Sequence, residues 1–545
     1  MAIIVAIRSF FAEKIKLLLI LLLIWVSAAL LSISYNQRNY GNEEIVEQLI
    51  QAKEELSTLK KYNNDLQELL TKENYQALPK PEYEKLRRRV ANTIDEFWRF
   101  INSQVSHLKD KKGVNSNDLR TLNKIISLGV EHKRSLLNDV QRISQVDGFN
   151  NWRINEIKNL SNVVQERLGY LQNPVDCQNA KKLVCQINYY CGFGCQIHHL
   201  ICCMALAYGT QRTLILKSVE WQYHEDGWEG VFKPLSNVCT EVDETTAVTW
   251  PGSDNSQVIA LPLQTNIYPR SKYLPLAVPE DLAYRLITVH GNPSAWWVGQ
   301  ILNYIWKPQI ITLSHIKQNT EHIKLENPYV AVHIRRTDKV RSEAKFYSVR
   351  EYMAKVDEYY NEAIDSSNAT MPRVYIATDD VNVITEAKTK YPHYEIMHNP
   401  NVPNISEPDY LHSKDNIFDL ILDVHILSHS KFLVCTFSSN ICRLAYELMQ
   451  INYEDASARV ASLDDVYYDL QQNTNQRITI LSHRAQSAQE IDLLPGDIVH
   501  IIDNHWNGYS KGKNLRTKKH GLFPSFKVDM SMEIVKFPTY LDMHT

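Results

Sequence analysis

The sequence lacks an excess of charge of either sign. Its 545 residues include 59 lysines and arginines and 62 aspartates and glutamates, so the formal net charge is −3. This balance argues against general binding to nucleic acids, which usually requires a basic surface. It does not exclude a small anionic ligand held by a few local arginines. The length excludes one ordinary domain and predicts two to four.

Cysteine is absent from the first 176 residues, and seven of the nine cysteines fall within 177–239. In an oxidising compartment this clustering predicts a subdomain stapled by disulfides. Because nine is an odd number, at least one thiol stays free. Cys191 and Cys195 with His198 and His199 offer an alternative reading as a zinc site.

A long apolar run near the N-terminus is the clearest topological signal. The seventeen residues from Leu17 to Ile33 contain only two serines as polar residues, and basic residues precede them. At about 1.5 Å per residue, such a helix spans just under the roughly 30 Å of a membrane core. The basic flank predicts a single-pass type II signal anchor at 17–35, with residues 1–16 in the cytoplasm and the rest in the lumen. The short span favours a thin early-secretory membrane such as the Golgi.

A cleaved signal peptide is the alternative to this anchor, but no clean Ala-x-Ala site follows the apolar run. The lumenal topology that the anchor implies is oxidising, so it favours disulfides over the zinc site. Asn159, Asn368 and Asn404 begin sequences that match the acceptor pattern for N-glycosylation.

Heptad spacing marks the polar, helix-prone segment 43–72. The positions of this pattern alternate four and three residues apart and include one asparagine: Ile45, Leu49, Ala52, Leu56, Leu59, Asn63, Leu66 and Leu70. A single asparagine at an a position commonly sets the register of a parallel dimer. We therefore predict a coiled-coil stem at 36–82 that makes the protein a homodimer. The alternative is one amphipathic helix that packs on its own domain.

Two further changes of pattern follow the predicted stem. Residues 83–176 have a helix-forming composition, and one glycine break at Gly113 predicts long paired helices. From 177 to 475, short apolar runs alternate with helical patterns, which predicts an α/β domain with a doubly wound sheet. The Rossmann-type part of that domain is expected at about 325–450, and ligands of such sheets bind outside the carboxyl ends of the strands.

Polar residues follow one of the predicted strands, Val330 to Val332, directly. The next eleven residues carry a dense cluster of polar side chains: His333, Arg335, Arg336, Asp338, Lys339 and Glu343. Paired arginines suit bidentate contact with phosphate, although a solvated charge cluster is the alternative. The chain has no Asp-x-Asp sequence, with which many transferases hold a metal. Arginines would then neutralise a diphosphate leaving group in place of a metal.

The segment from His333 to Lys339 closely resembles a fucosyltransferase motif. Five other segments resemble the eukaryotic α1,6-fucosyltransferases in particular: Cys191-Gly-Phe-Gly-Cys-Gln-Ile-His-His199, Tyr208-Gly-Thr-Gln-Arg-Thr213, Leu274-Pro-Leu-Ala-Val-Pro-Glu-Asp-Leu-Ala283, Ala377-Thr-Asp-Asp380 and Val434-Cys-Thr-Phe-Ser-Ser439. The resemblance spans nearly everything from Cys177 onward, and the predicted anchor and stem fit it.

The resemblance implies a GT-B-like enzyme that moves L-fucose from GDP-fucose, with inversion, to O6 of the innermost GlcNAc of N-glycans on glycoproteins. It implies no metal and no other cofactor. The implied donor-binding residues are Gly194, Tyr223, His333, Arg335, Arg336, Asp423 and Ser439. The implied catalytic residues are Arg335, Arg336, Lys339, Asp379, Asp380 and, as the general base, Glu343. Inversion in one displacement needs such a base, and a cation such as Lys339 keeps a nearby carboxylate ionised.

On the acceptor side, the resemblance implies contacts from Lys339, Glu343, Asp464 and His505. Three positions depart from the usual pattern: Tyr189 stands in place of Lys, Thr265 in place of Asp, and Asn440 in place of Gln. These departures predict altered contacts with sugar hydroxyls, so the sequence does not determine the preferred antenna, whereas the donor and the reaction are unaffected.

The resemblance also implies how the cysteines pair. The implied disulfides are Cys177–Cys239, Cys185–Cys203, Cys191–Cys195 and Cys435–Cys442, which leaves Cys202 free in an apolar run. Ser439 is expected to cap the helix that follows it.

The last part of the chain changes pattern once more. Residues 476–532 contain a strand with an acidic turn, then His505-Trp506, then Gly521-Leu-Phe-Pro-Ser525, an order that resembles an SH3 domain. The aromatic residues that open peptide-binding SH3 domains are missing, so we expect no polyproline binding. Residues 533–545 remain as a C-terminal tail.

Two other functions stay open from the sequence. One is fucose transfer to a chitin-like oligosaccharide or a protein hydroxyl, which the stem and the SH3-like end disfavour. The other is a membrane-anchored SH3 adaptor with an inactive α/β domain, which the predicted lumenal topology disfavours.

Overall fold

The computed structural model describes most of the chain after residue 78, together with Lys53, Leu56, Ser57 and Lys60. Within 79–545 the residues not described are 112, 190, 327, 337–344, 363–370, 403–416, 469–475, 539 and 541–545. The predicted anchor at 17–35 and nearly all of the predicted stem therefore lie outside the described residues. Among the helices of the described part, none has the length and apolar character that spanning a membrane requires.

Three helices, and not the predicted pair, open this part of the chain: α1 Pro81–Lys109, α2 Ser116–Val146 and α3 Asn150–Gln172. Pro81 starts α1, where the missing N–H of proline is harmless. Asn115 caps α2 by accepting hydrogen bonds from the backbone N–H groups of Asn117 and Asp118, both at 2.9 Å. A second break lies at Gly148, whose φ of +80° suits glycine. The prediction of a single break was therefore wrong.

The helical region packs against both parts of the chain that follow it. Leu160, Val164 and Leu168 of α3 are completely buried in the largest hydrophobic core. Arg99 of α1 lies over the ring of Trp506, 4.9 Å from its centroid. Residues 79–545 accordingly form a single compact unit.

Ten strands belong to the α/β region. They are β1 Lys182–Gln186, β2 Thr213–Lys217, β3 Val248–Thr249, β4 Val258–Ala260, β5 Val278–Pro279, β6 Val330–Ile334, β7 Arg373–Thr378, β8 Glu395–Met397, β9 Phe432–Cys435 and β10 Val460–Ser462. The helices of this region are α4 Phe193–Gly209, α5 Glu280–Val289, α6 Pro293–Ile305, α7 Ile310–Ile323, α8 Val349–Glu362, α9 Val381–Lys390, α10 Ile417–His429 and α11 Asn440–Asn452.

Nine of these strands, all except β5, form two parallel sheets with the orders β2-β1-β4-β3 and β10-β9-β6-β7-β8. In the second sheet the first strand, β6, lies in the centre, with β7 and β8 on one side and β9 and β10 on the other. Apolar cores cover both faces of this sheet, which is why its strands are nearly continuous apolar runs. The predicted α/β domain is confirmed.

The C-terminal domain is built from antiparallel strands. Its strands are β11 Gln476–Thr479, β12 Ile498–Asn504, β13 Tyr509–Asn514, β14 His520–Pro524 and β15 Val528–Met530. They form one sheet with the order β14-β13-β12-β11-β15 around a small core that includes Phe523. The predicted all-β domain is confirmed.

The segment predicted as a C-terminal tail returns to the first part of the α/β region. Its strand β16, Ile534–Val535, pairs in parallel with β5. The hydroxyl of Tyr540 donates a hydrogen bond of 2.7 Å to the carbonyl of Tyr208, and the two rings stack. Strand β16 and Tyr540 are therefore part of the packed structure.

Candidate active site

The carboxyl ends of four strands meet at one edge of the second sheet. β6 leads into Arg335, β7 into Asp379, β9 into Ser439 and β10 into Asp464. Because the neighbouring strands are all parallel, these ends lie side by side. The chain direction across the sheet reverses between β6 and β9, and ligands of open α/β sheets bind at such a switch point. Four of the predicted site residues therefore border the crevice where the fold places a ligand.

Asp379 organises the segment that follows β6. One of its carboxylate oxygens accepts a hydrogen bond of 2.8 Å from the backbone N–H of Arg336. The other oxygen lies 3.2 Å from Nη1 of Arg335. Asp379 is buried, whereas a quarter of the Arg335 side chain is exposed. A buried carboxylate thus orients the guanidinium of Arg335 at the rim of the crevice.

The two adjacent arginines are not equivalent. Nη1 of Arg336 donates a hydrogen bond of 2.5 Å to the backbone carbonyl of Tyr347, and its guanidinium lies 4.2 Å from the ring centroid of Phe346. These partners lie on the far side of residues 337–344 in the sequence. Arg336 therefore connects the end of β6 with the segment before α8, while Arg335 faces the crevice beside Asp379.

Asp380 has a structural role in addition to the predicted catalytic one. It is the N-cap of α9, and its carboxylate accepts hydrogen bonds from the backbone N–H and the side-chain amide of Asn382 at 2.9 and 3.0 Å. Capping by aspartate stabilises the start of a helix. The structure thus gives Asp379 and Asp380, which were predicted together as catalytic, two different tasks.

The N-terminus of α11 contributes backbone donors to the same edge. Ser439 occupies the N-cap position, but its hydroxyl makes no capping hydrogen bond, which corrects the prediction for that side chain. The first N–H groups of a helix have no partner within the helix and favour an anion. Gly194 packs directly on this end, because a Cβ atom there would lie 2.8 Å from the Cβ of Asn440. We call the parts of the α/β region built on the first and the second sheet the first and the second lobe. The two lobes therefore meet beside the crevice, where Gly194 of the first lobe contacts Asn440 of the second.

Tyr223 joins the crevice from the first lobe. It is buried, and its ring meets Phe193 edge to face at a centroid distance of 5.6 Å. Burial raises the pKa of the Tyr223 phenol, and the positive charge of Arg335 opposes that rise. Two predicted donor residues from different lobes are thus close enough to interact electrostatically.

The structure contains all four predicted disulfides, and the buried Cys202 belongs to none of them. The Cys191–Cys195 bridge closes the turn that holds Gly194 and removes both sulfurs from the alternative zinc site. His198 contacts the carbonyl of Gly194 at 2.6 Å and the carboxylate of Glu447 at 3.1 Å. His199 lies near the sulfurs of Cys185 and Cys203, which are bonded to each other and so offer no thiolate to a metal.

Asp423 lies on α10 beneath the sheet. The hydroxyl of Tyr375, in the middle of β7, donates a hydrogen bond of 2.5 Å to Asp423 Oδ1. Burial raises the pKa of Asp423 to about 7, and the negative charge of Asp419 adds to the rise, whereas the hydrogen bond from Tyr375 opposes it. This carboxyl group therefore changes its charge near neutral pH.

Acidic residues gather on the predicted acceptor side. Oδ1 of Asp464 accepts hydrogen bonds from the hydroxyl of Ser462 at 3.0 Å and the backbone N–H of Asp465 at 2.6 Å. Burial raises the pKa of Tyr347 to about 12, with further contributions from Asp464 and from Asp503 of the C-terminal domain. The C-terminal domain thus reaches the border of the site.

The other predicted acceptor positions are more exposed. His505 is 38% exposed, and its Nε2 lies 3.9 Å from the carboxylate of Asp503. Thr265 is exposed, and Tyr189 packs edge to face against His199 at a centroid distance of 5.1 Å. The side-chain oxygen of Asn440 accepts a hydrogen bond from Arg443. Tyr189, Thr265 and Asn440, the three positions that depart from the usual acceptor pattern, thus lie in different environments. Asn440 is the one that lies on α11, at the border of the crevice, where Arg443 is its polar partner.

Lys339 and Glu343 lie outside the described residues, as do Asn368 and Asn404, whereas Asn159 lies on the exposed side of α3. Three further residues border the site and were not predicted from the sequence: Tyr347, Asp465 and Arg443. Asp465 could have been found from its place beside Asp464 after an apolar run. Tyr347 and Arg443 carry no local signal, since their contacts are tertiary.

Most of the chain is similar in sequence to known proteins. A family model described as the alpha-(1,6)-fucosyltransferase N- and catalytic domains matches residues 71–468, and a variant SH3 domain model matches 480–529. The chain is 46% identical to an alpha-(1,6)-fucosyltransferase of Drosophila melanogaster over 85% of this chain and 75% of that protein. It is 32% identical to an alpha-(1,6)-fucosyltransferase of Caenorhabditis elegans over 95% of this chain and 98% of that protein. Among solved structures, NodZ alpha-1,6-fucosyltransferase co-crystallised with GDP has 14% identity and a TM-score of 0.33, over 49% of this chain and 91% of that one.

Proposed function

The chain belongs to the alpha-(1,6)-fucosyltransferase family, and we propose that it transfers L-fucose from GDP-fucose to O6 of the innermost, Asn-linked GlcNAc of N-glycans. One observation supports this most directly. Arg335, which Asp379 orients, lies at the same edge of the second sheet as the N-terminus of α11. A planar guanidinium and the first amides of a helix are both suited to phosphate. The direct test is a transfer assay with defined N-glycans.

The chemistry of the proposed reaction follows from these groups. As O6 attacks the anomeric carbon, the bond to GDP breaks and negative charge develops on the departing diphosphate. Arg335 and the amides of α11 stabilise that charge. In our proposal this replaces a metal held by Asp-x-Asp, which the sequence lacks. His333, Tyr223 and Gly194 complete the donor pocket.

The attacking hydroxyl must lose its proton, and we assign that step to Glu343. Attack on the face opposite the leaving group, with one base and no covalent intermediate, inverts the anomeric centre. We propose Lys339 as the cation that keeps Glu343 ionised. Arg336 supports this arrangement through its contact with the carbonyl of Tyr347.

On the acceptor side we propose that Asp464 and His505 contact the glycan. The acidic border formed with Asp503 supports a role for the C-terminal domain in acceptor binding. Carboxylates suit the many hydroxyl donors of a sugar. We therefore propose that this SH3-like domain completes the glycan site and does not bind polyproline.

The N-terminal sequence supports a proposal for the location of the protein. We propose a single-pass type II protein of the Golgi membrane, with its catalytic region in the lumen, and a homodimer through the stem. The disulfides of the structure agree with an oxidising lumen. Protease treatment of sealed microsomes tests the topology: a C-terminal domain that is digested before the membrane is opened would contradict it.

Arg335→Lys should weaken the binding of GDP-fucose about tenfold, because lysine keeps the charge but loses the bidentate fork. Calorimetry with GDP measures the change. Arg373→Lys is the matched control: Arg373 also pairs with carboxylates, Glu326 and Glu395, but at the amino end of β7. Equal affinity of the Arg335 variant and the wild type would show that fork geometry plays no part in donor binding.

The affinity for GDP should increase with pH between 6 and 8. We propose that Asp423 accepts hydrogen bonds from the guanine base, which requires the carboxylate form. With a pKa raised to about 7, the carboxyl group is mostly neutral at pH 6 and mostly ionised at pH 8. The ionised fraction, and with it the affinity, rises about tenfold across this range.

Asp423→Asn should remove this part of the pH dependence, while contributions from GDP itself stay the same in both proteins. Asp357→Asn is the matched control, since Asp357 also accepts a hydrogen bond from a tyrosine, Tyr394, at 2.6 Å. If wild type and the Asp423 variant show the same pH profile in calorimetry, Asp423 does not meet the base.

A further inference from the structure

Arg443 is a buried cation in the first turn of α11, and only 1% of it is exposed. Its Nη2 donates a hydrogen bond to Oδ1 of Asn440, and its guanidinium lies 4.3 Å from the ring centroid of Tyr468. Its Nε and Nη1 have no hydrogen-bond partner among the residues that the structure describes. Burying a guanidinium that is not fully paired costs free energy. A helix that needed only packing at this position would be more stable with an apolar side chain.

The segment Asp464–Tyr468, which we call the acceptor segment, is attached to α11 at two points. The hydroxyl of Tyr467 donates a hydrogen bond of 2.8 Å to Glu447, and Tyr468 stacks on Arg443. Arg443 and Glu447 are four residues apart and therefore lie on the same face of the helix. Glu447 is also held from the first lobe, by His198 at 3.1 Å.

Arg443 also acts on the charge of the acceptor segment. Burial raises the pKa of Asp465, and the negative charges of Asp464 and Asp503 raise it further. Arg443 is the cation that opposes this rise. It therefore favours the ionised form of a carboxyl group that lies among like charges.

We propose that Arg443 is the positioning residue of the acceptor side. It orients the amide of Asn440 and holds Tyr468, and thereby keeps the carboxylates of the acceptor segment in the arrangement that receives the glycan. Arg443 itself touches neither substrate in this account. The inference rests on the proposed function, since it assigns the acceptor segment to glycan binding.

The proposal predicts a split between the two substrates. Arg443→Lys keeps the charge but loses the fork that bonds Asn440 and the flat face that stacks on Tyr468. The KM for an N-glycan acceptor should rise about tenfold, as expected for the loss of a charged hydrogen bond. The Kd for GDP, measured by calorimetry, should stay within about twofold of wild type, since the side chain of Arg443 contacts Asn440 and Tyr468, neither of which is a proposed donor residue.

Arg459 provides the matched control. Arg459 lies directly before β10, at the amino end of that strand. Its guanidinium lies 4.3 Å from the ring centroid of Tyr453 and donates a hydrogen bond of 3.3 Å to the carbonyl of Lys431. Arg459→Lys makes the same chemical change at the same stacking distance. It should leave the acceptor KM at the wild-type value.

A double-mutant cycle tests the route through Asn440. Asn440→Ala and Arg443→Lys should each raise the acceptor KM, and the double variant should be little worse than either, because both remove the same contact. Additive effects would contradict that route.

An Arg443→Lys protein with a wild-type acceptor KM, or with equal losses for GDP and glycan, would overturn the positioning role. A wild-type protein that transfers no fucose to any N-glycan would instead refute the proposed function.

Discussion

Glu343→Gln should lower the turnover of fucose transfer by about a thousandfold, within the range for removing a general base. The amide keeps the size of the side chain but cannot take the proton of the attacking hydroxyl. The donor site depends on Arg335, Asp379 and the start of α11, so the affinity for GDP should stay within about twofold of wild type. Steady-state kinetics with saturating GDP-fucose, together with GDP calorimetry, measures both quantities.

Glu351→Gln is the control for this experiment. Glu351 is an exposed glutamate eight residues further along the chain, and it accepts hydrogen bonds from Ser348 at the start of α8. Its replacement should leave turnover within about twofold of wild type. A Glu343 variant with near-normal turnover would show that another group takes the proton.

Glu84→Ala should destabilise the protein by about 3–5 kcal/mol, the usual cost of breaking a buried ion pair. Glu84 of α1 is completely buried. Its carboxylate accepts hydrogen bonds from Arg87 at 3.1 Å and from Nε of Arg153 at 2.8 Å. Removing it leaves two buried or half-buried guanidinium groups without this partner. Urea unfolding of the variant and the wild type measures the loss.

Glu386→Ala is the matched control for Glu84. Glu386 pairs with Lys390 at 2.8 Å on the surface of α9, where both side chains are exposed. Its loss should cost at most about 1 kcal/mol. Equal unfolding midpoints for the Glu84 variant and the wild type would mean that the three helices are not part of the cooperative unit.

The donor edge of the second sheet was predictable from the sequence for a physical reason. The apolar run at Val330 and the polar residues after it obey the rule that buried parallel strands end in ligand-binding loops. Asp379 follows the next strand in the same way, so its proximity to Arg335 follows from parallel register. Local sequence therefore contains the information, because strand and site residues are adjacent along the chain.

The contacts that give adjacent residues different roles were not predictable from the sequence. Arg335 and Arg336 look alike in the sequence, and only tertiary packing sends Arg336 to the carbonyl of Tyr347. In the sequence Asp380 resembles a catalytic partner of Asp379, but in the folded chain it caps the N-terminus of α9. The role of Arg443 depends on Tyr468, which lies 25 residues further along and reaches it only in the folded chain.

The same limit applies to the whole architecture. The break at Gly148 was missed because a helix-forming composition continues on both sides of it. The docking of β16 and Tyr540 against the α/β region was not predicted, because a two-residue strand and a single aromatic residue give no periodic signal. Long-range pairing is decided by the surface that the rest of the fold offers, and sequence patterns report only local preference.

The central claim is metal-independent transfer of fucose to the innermost GlcNAc of N-glycans. It is tested most directly by incubating the full-length protein with GDP-fucose, EDTA and a panel of defined N-glycans that differ in their antennae, followed by fragmentation mass spectrometry of the products. We predict one added fucose on the innermost GlcNAc, at O6, with EDTA present. Fucose on an antenna, or transfer that EDTA abolishes and a divalent metal restores, would contradict the account.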